Sequence, residues 1–66
     1  MPSNTRGKIK EHLEGVHRNT EAIKSHLAMT LALVADKNPD VTAAIEALGK
    51  VNDVLDESAQ NLYGLI

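Results

Sequence analysis

Two histidines and three glutamates fall within the eleven residues Glu11 to Glu21, and His26 follows five residues later. Imidazole and carboxylate groups at this density could ligate a metal ion or exchange protons in catalysis, provided that they converge on one point. On a helix, convergence requires spacings of three or four residues. His12 and His17 are five apart, which places them on well-separated faces, and His12 and His26 lie about 21 Å apart along a helix that rises about 1.5 Å per residue. No two histidines of one chain can therefore chelate one ion. Glu14 and His17 have the Glu-x-x-His spacing used on two helices of carboxylate-bridged di-metal bundles, but those proteins aim the pair inward and add glutamates from the other helices. Ser58 and Asn61 are the residues expected opposite. Glu14, His17 and Glu21 thus read as a solvated helix face, and neither a metal nor a cofactor is expected.

Nucleophilic chemistry has no better footing. Ser3, Ser25 and Ser58 lack a His and an Asp at convergent positions. Gly7, Gly15, Gly49 and Gly64 are scattered singly, so no glycine-rich phosphate loop is formed. The expectation is a protein without enzymatic activity, one that acts by binding.

The elements that carry these residues are legible in composition and period. A chain of 66 residues is near the size at which a single hydrophobic core struggles to outweigh chain entropy. It has no cysteine, hence no disulfide framework or thiolate metal site to help. Assembly with further copies is the remaining source of stability. Ala, Leu, Val and Ile dominate the apolar set, with no Trp or Phe and one Tyr, which is the composition of a helical bundle. The longest apolar run, Leu27 to Ala35, is interrupted by Thr30 and falls well short of the roughly 20 residues that span a bilayer. No apolar stretch follows the opening MPSNTRGK, so no secretory leader is expected and a cytoplasmic location is the default. The net charge of −2 divides unevenly: residues 1–35 hold five Lys/Arg and three Glu, residues 36–66 two Lys and six Asp/Glu.

One boundary stands out, Asp36-Lys37-Asn38-Pro39-Asp40. Asn38 suits a helix N-cap, Pro39 the first helical position, and Asp40 the positive end of the helix dipole. Before it, Ile9, Leu13, Val16, Thr20, Ile23, Leu27, Thr30 and Val34 recur in steps of four and three; after it, Val41, Ile45, Leu48, Asn52, Leu55, Ala59, Leu62 and Ile66 do the same. These are two heptad seams of equal length. Folding the chain at Lys37-Asn38 sets residue i beside residue 75−i, and every seam position meets another. The sequence predicts an all-α, antiparallel two-helix hairpin, with helices over about 5–36 and 39–66 and a flexible N-terminus at 1–4, forming a single domain.

The positions around the seam suggest partners. In that register His12 faces Tyr63, Asn19 faces Asp56 and His26 faces Gly49 along a polar edge, while Leu31 faces Ala44 and Lys24 faces Val51 along the other. Met29, Leu31, Leu33, Ala44, Ala47, Val51 and Val54 exceed what a two-helix seam can cover and are expected to form an oligomer interface, most simply that of a dimeric four-helix bundle. Thr20 and Asn52 are polar residues in neighbouring seam layers, where they either fix register and assembly state or line a ligand cavity between protomers. At the open end, Arg6, Lys8 and Lys10 surround the start of the first helix, whose free N–H groups favour an anion. With His12 and Tyr63 they form the expected ligand-binding set.

The plan is similar to that of Rop, the small plasmid regulator whose helical hairpins pair as an antiparallel four-helix bundle; it is also similar to viral anti-defence proteins that sequester cyclic nucleotides between subunits. Both are similarities of architecture without a shared residue motif. They imply, respectively, RNA binding through the basic face of the first helix, including Arg18 and Lys24, and capture of a small anionic nucleotide. The leading expectation is a homo-oligomer that regulates, adapts or inhibits another macromolecule; nucleic acid is the lesser partner.

Overall fold

The computed structural model describes residues 3–35 and 37–66, with side chains from Thr5 onward. Two α-helices, α1 (Ser3–Val34) and α2 (Pro39–Leu65), lie antiparallel in a hairpin 53 Å long and 15 × 10 Å across. The helix α1 begins two residues earlier than expected, at Ser3; Met1 and Pro2 lie outside the described residues. It ends at Val34 rather than at Asp36 because Ala35 turns left-handed, with φ 47°. The Ala35 N–H still donates to Leu31 O and the Lys37 N–H to Val34 O, each at 3.0 Å, so the last turn of α1 is closed before the chain reverses. Asn38 then caps α2: its backbone is extended and its Oδ1 accepts from the Val41 N–H at 3.2 Å. Pro39 occupies the first helical position and Asp40 the first turn, as the sequence implies.

The contacts between α1 and α2 straddle the register i with 75−i. Thr20 meets Asn52 and Asp56, His17 meets Asp56, Glu14 meets Tyr63, and Gly49 faces Leu27 closely enough that a Cβ there would touch its Cδ1 at 3.9 Å. The face that closes the hairpin nevertheless differs from the expected seam. From α2, Ile45, Asn52 and Ala59 are buried as the cadence requires, but Thr42, Gly49 and Asp56 are the half-buried residues beside them. Leu48, Leu55 and Leu62, expected to meet Leu27, Thr20 and Leu13, are 54%, 51% and 46% exposed. In α1, Leu31 is half-buried in place of Thr30, whose hydroxyl donates to His26 O at 2.8 Å, and Ile23 is exposed.

At about 100° per residue, exchanging the i+3 neighbour for the i+4 neighbour turns the buried stripe by about 50°. The helix α2 turns in this way, whereas α1 follows only towards the reversal, at Ile23 and at Leu31 in place of Thr30; Ile9, Leu13, Val16, Leu27 and Val34 stay half-buried as the cadence requires. Because the helices run antiparallel, the departures in α1 and α2 open the same side of the hairpin. Ile23, Val41, Leu48, Leu55 and Leu62 are left together on one open face, flanked by Val51 and Leu65. The side that closes is the polar one.

Antiparallel packing also corrects the expected flank pairs. Helices that run in opposite directions bring like flanks together, so the row His17, Lys24, Leu31 lies beside Gly49, Asp56, Tyr63. His12, Asn19 and His26 are on the other side of α1. Tyr63 accordingly meets Glu14 and Lys10 instead of His12, and Asp56 meets His17 and Thr20 instead of Asn19. Leu31 and Lys24 turn towards the groove lined by Gly49 and Asn52, away from the expected Ala44 and Val51.

Candidate functional site

Among the described residues the densest set of polar contacts crosses the middle of the hairpin. Thr20 and Asn52 are its buried members, 3% and 7% exposed. The Asn52 Nδ2 donates to Thr20 O at 3.0 Å, tying one backbone to the other helix. The Thr20 hydroxyl lies 2.8 Å from both His17 O and Asp56 Oδ1, so its single hydrogen is shared between two acceptors. His17 Nδ1 stands 2.8 Å from the same Asp56 oxygen, and Gln60 Nε2 donates to Asp56 Oδ2 at 2.8 Å. Both oxygens of Asp56 are therefore held, one from across the hairpin and one from the next turn of α2.

This arrangement sets the charges of the pair. The hydrogen bond from His17, followed by that from Thr20, holds the Asp56 carboxyl below the usual carboxylate range against the opposing effect of desolvation. The same hydrogen bond, then the Asp56 charge, raises the His17 imidazole above its ordinary value, with Glu21 adding to the shift. Glu21 lies one helical turn beyond His17, and ligand atoms of His17, Glu21 and Asp56 all come within 4.8 Å of one another.

A second feature lies nearer the open end. An open groove of 640 Å³ has Leu13 and Ala59 in its floor, with Glu14, Arg18 and Tyr63 around it. The Tyr63 hydroxyl donates to Glu14 Oε1 at 3.3 Å, and Lys10 Nζ sits 5.0 Å above the centre of its ring. Of the residues expected to bind a ligand, Lys10 and Tyr63 are thus brought together. Arg6, Lys8 and His12 are exposed along α1, with His12 on its far flank.

Among the residues expected at an oligomer interface, Met29, Leu33, Val51 and Val54 are exposed, as are Ala44 and Ala47, whereas Leu31 is half-buried in the groove against α2. By helical position Met29, Ala47 and Val54 point away from the partner helix, while Ala44, Val51 and Leu33 border the open apolar face. No protein-family model, curated protein or solved structure matches the chain.

Spacings along a single helix do not reveal the His17–Asp56 cluster, because its members come from both helices and meet across like flanks. The signal was present. His17 and Asp56 occupy equivalent flank positions, Thr20 sits in the seam between them, and Gln60 follows Asp56 by one turn.

Proposed function

We propose that this chain is a non-enzymatic helical hairpin that pairs with a second copy of itself as a four-helix bundle and acts by binding another macromolecule, as a regulator, adaptor or inhibitor. The observation that carries the reading is the turn of the α2 seam, joined by Ile23 of α1, onto one open face. In a hairpin standing alone, each apolar stripe gains most by pointing at its neighbour. In a square of four helices each stripe must point at the centre, about 45° away from that neighbour. The exchange of buried positions in α2, equivalent to a turn of about 50°, is close to the second case.

The surface area supports the same reading. The chain exposes 5080 Å², whereas a monomeric globular protein of 7.1 kDa exposes about 4,100 Å². The surplus of about 1,000 Å² is similar to the roughly 800 Å² that each partner contributes to a standard interface. Among the described residues, only Ile45 and Ala59 are buried apolar residues within the hairpin, so most of the apolar stabilisation is left to assembly. The two-fold arrangement sets Leu48, Leu55 and Leu62 of each copy against the other copy.

Sedimentation equilibrium, with thermal melts over a range of concentration, tests this. A two-chain mass is expected, and Leu48→Glu with Leu55→Glu should abolish it. For a dimer of about 130 residues, each tenfold rise in concentration adds about 1.4 kcal/mol and should raise Tm by about 5 °C. A one-chain mass with a concentration-independent Tm refutes the assembly.

The groove beside Tyr63 favours a second reading, capture of a small anionic nucleotide-type ligand. Arg18 on its rim and the nearby Lys10 supply cationic groups, while Leu13 and Ala59 supply an apolar floor. Native mass spectrometry of freshly purified protein tests it directly: a retained small molecule is expected, and a bare protein mass argues for the macromolecular partner. Binding that instead weakens steeply with salt would point to nucleic acid.

A further inference from the structure

We propose that His17, Glu21 and Asp56 form a binding site for one zinc-class divalent ion, clipping α1 to α2 on the polar flank of the hairpin. The site lies within one chain and on the side away from the open apolar face. It therefore stands whether or not two copies pair.

Three observations carry the proposal. The first is convergence. One imidazole and two carboxylates, drawn from both helices, bring ligand atoms within 4.8 Å of one another, with the closest pair, His17 Nδ1 and Asp56 Oδ1, at 2.8 Å. Ligands on a tetrahedral ion with bonds of about 2.0–2.1 Å stand about 3.3 Å apart. The ion would enter between His17 and Asp56 by widening their contact by about half an ångström, a change within ordinary side-chain rotation. Glu21 is exposed and one turn from His17, so its carboxylate can swing to complete the set.

The second observation is the support behind the ligand. Asp56 is oriented on both oxygens, by Thr20 from α1 and by Gln60 from α2. Metal-binding carboxylates and imidazoles are typically held in this way by outer hydrogen bonds.

The third is local charge. The groove of 140 Å³ beside the cluster is bordered by Glu21, Asp53, Asp56 and Glu57 against the single cation Lys24. That field attracts a divalent cation from solution. One nitrogen and two oxygen donors suit zinc, and three protein ligands leave one position for water. Binding replaces the proton shared by His17 and Asp56, which is released to solvent.

The test uses the full chain, stripped with chelator and carrying His12→Gln and His26→Gln so that other imidazoles do not contribute. Calorimetric titration with zinc at neutral pH should give one ion per chain, saturating on the order of tens of micromolar, weaker than a closed four-ligand site. Cobalt(II) should develop the intense visible absorption of a four- or five-coordinate ion. Glu21→Gln, which leaves the His17–Asp56 hydrogen bond in place, and His17→Gln should each weaken binding by at least about tenfold, with helicity retained by circular dichroism. Asp53→Asn, an acid of the same groove outside the ligand set, should bind with little change. The proposal is overturned if zinc fails to saturate the protein by about 1 mM, if Glu21→Gln binds as tightly as the parent, or if bound cobalt keeps the weak spectrum of its hydrated ion.

Discussion

Replacing Asn52 by Leu separates the energetic role of the central polar layer from its role in specificity. The substitution removes one hydrogen bond, Asn52 Nδ2 to Thr20 O, worth about 1 kcal/mol net. It strands no acceptor, because the Thr20 carbonyl lies mid-helix and keeps its bond from the N–H four residues on. Burying a leucine at a position only 7% exposed gains about 2 kcal/mol relative to an exposed one. Its extra bulk has somewhere to go, since Asn52 borders two open grooves, one of 140 Å³ shared with Thr20 and one of 230 Å³ shared with Leu27. The net expectation is stabilisation by about 1 kcal/mol, a rise in Tm of about 4–8 °C for a domain of this size. The same change removes the group that ties this layer to a particular backbone carbonyl, so native mass spectrometry should show a broader distribution of assembly states. Asn52→Ala, which loses the hydrogen bond without the apolar gain, should melt lower than the parent. Thermal circular dichroism at matched concentration measures all three proteins. A Leu variant that melts several degrees lower with its assembly state unchanged refutes the reasoning, because it would mean that the layer is held mainly by the fit of the amide.

Three further expectations follow from particular contacts. Ala35→Gly should stabilise the hairpin by about 0.5–1 kcal/mol in urea denaturation, because glycine relieves a left-handed residue of about 1–2 kcal/mol of steric cost while adding some unfolded-state entropy; an unchanged or lower midpoint contradicts this. In chelator-treated protein, the His17 contribution is full below its unfolded pKa near 6.5 and is lost as pH rises through its higher folded value, while that of Asp56 is lost in acid as pH falls through its depressed folded value. Tm should therefore fall as pH is raised from 6 into the alkaline range, and Asp56→Asn should flatten that fall; a parent protein with no such fall counts against the pair. Lys10→Ala with Tyr63→Ala should weaken binding of nucleotides and phosphate-rich ligands in a protein that stays folded, and unchanged affinity in a direct titration would remove the open end from consideration.

The hairpin itself was legible because its determinants are local. The Asn38 cap, Pro39 and the four-three cadence each act within a few residues, and together they set the reversal and the approximate register. The turn of the helices about their axes was not legible. Leu48 and Gly49, or Leu55 and Asp56, are adjacent in sequence and compete for the same inward position, and hydrophobicity alone selects the leucines. The polar closure through Thr20, Asn52 and Asp56 selects the other row, and its members come from both helices. For the same reason the cluster of His17 with Asp56 escapes a search for spacings along one helix. The end of α1 was misplaced by two residues because nothing in the side chain of Ala35 marks it as left-handed.

The capped reversal has a consequence for how the hairpin closes. Contacts near Asn38 join residues close in sequence, whereas the cross-links further out span 32 residues for Asn52 with Thr20, 39 for His17 with Asp56 and 49 for Tyr63 with Glu14. Each span is cheap to close only after the one before it, because the entropy of closing a loop grows with its length. The chain should zip from the turn outward, with Tyr63 and Glu14 last to meet and first to part. Amide hydrogen exchange would then be slowest around Thr20 and Asn52 and fastest beside the groove at Tyr63. The most adaptable surface of the molecule is thereby placed at the end farthest from the turn that organises it.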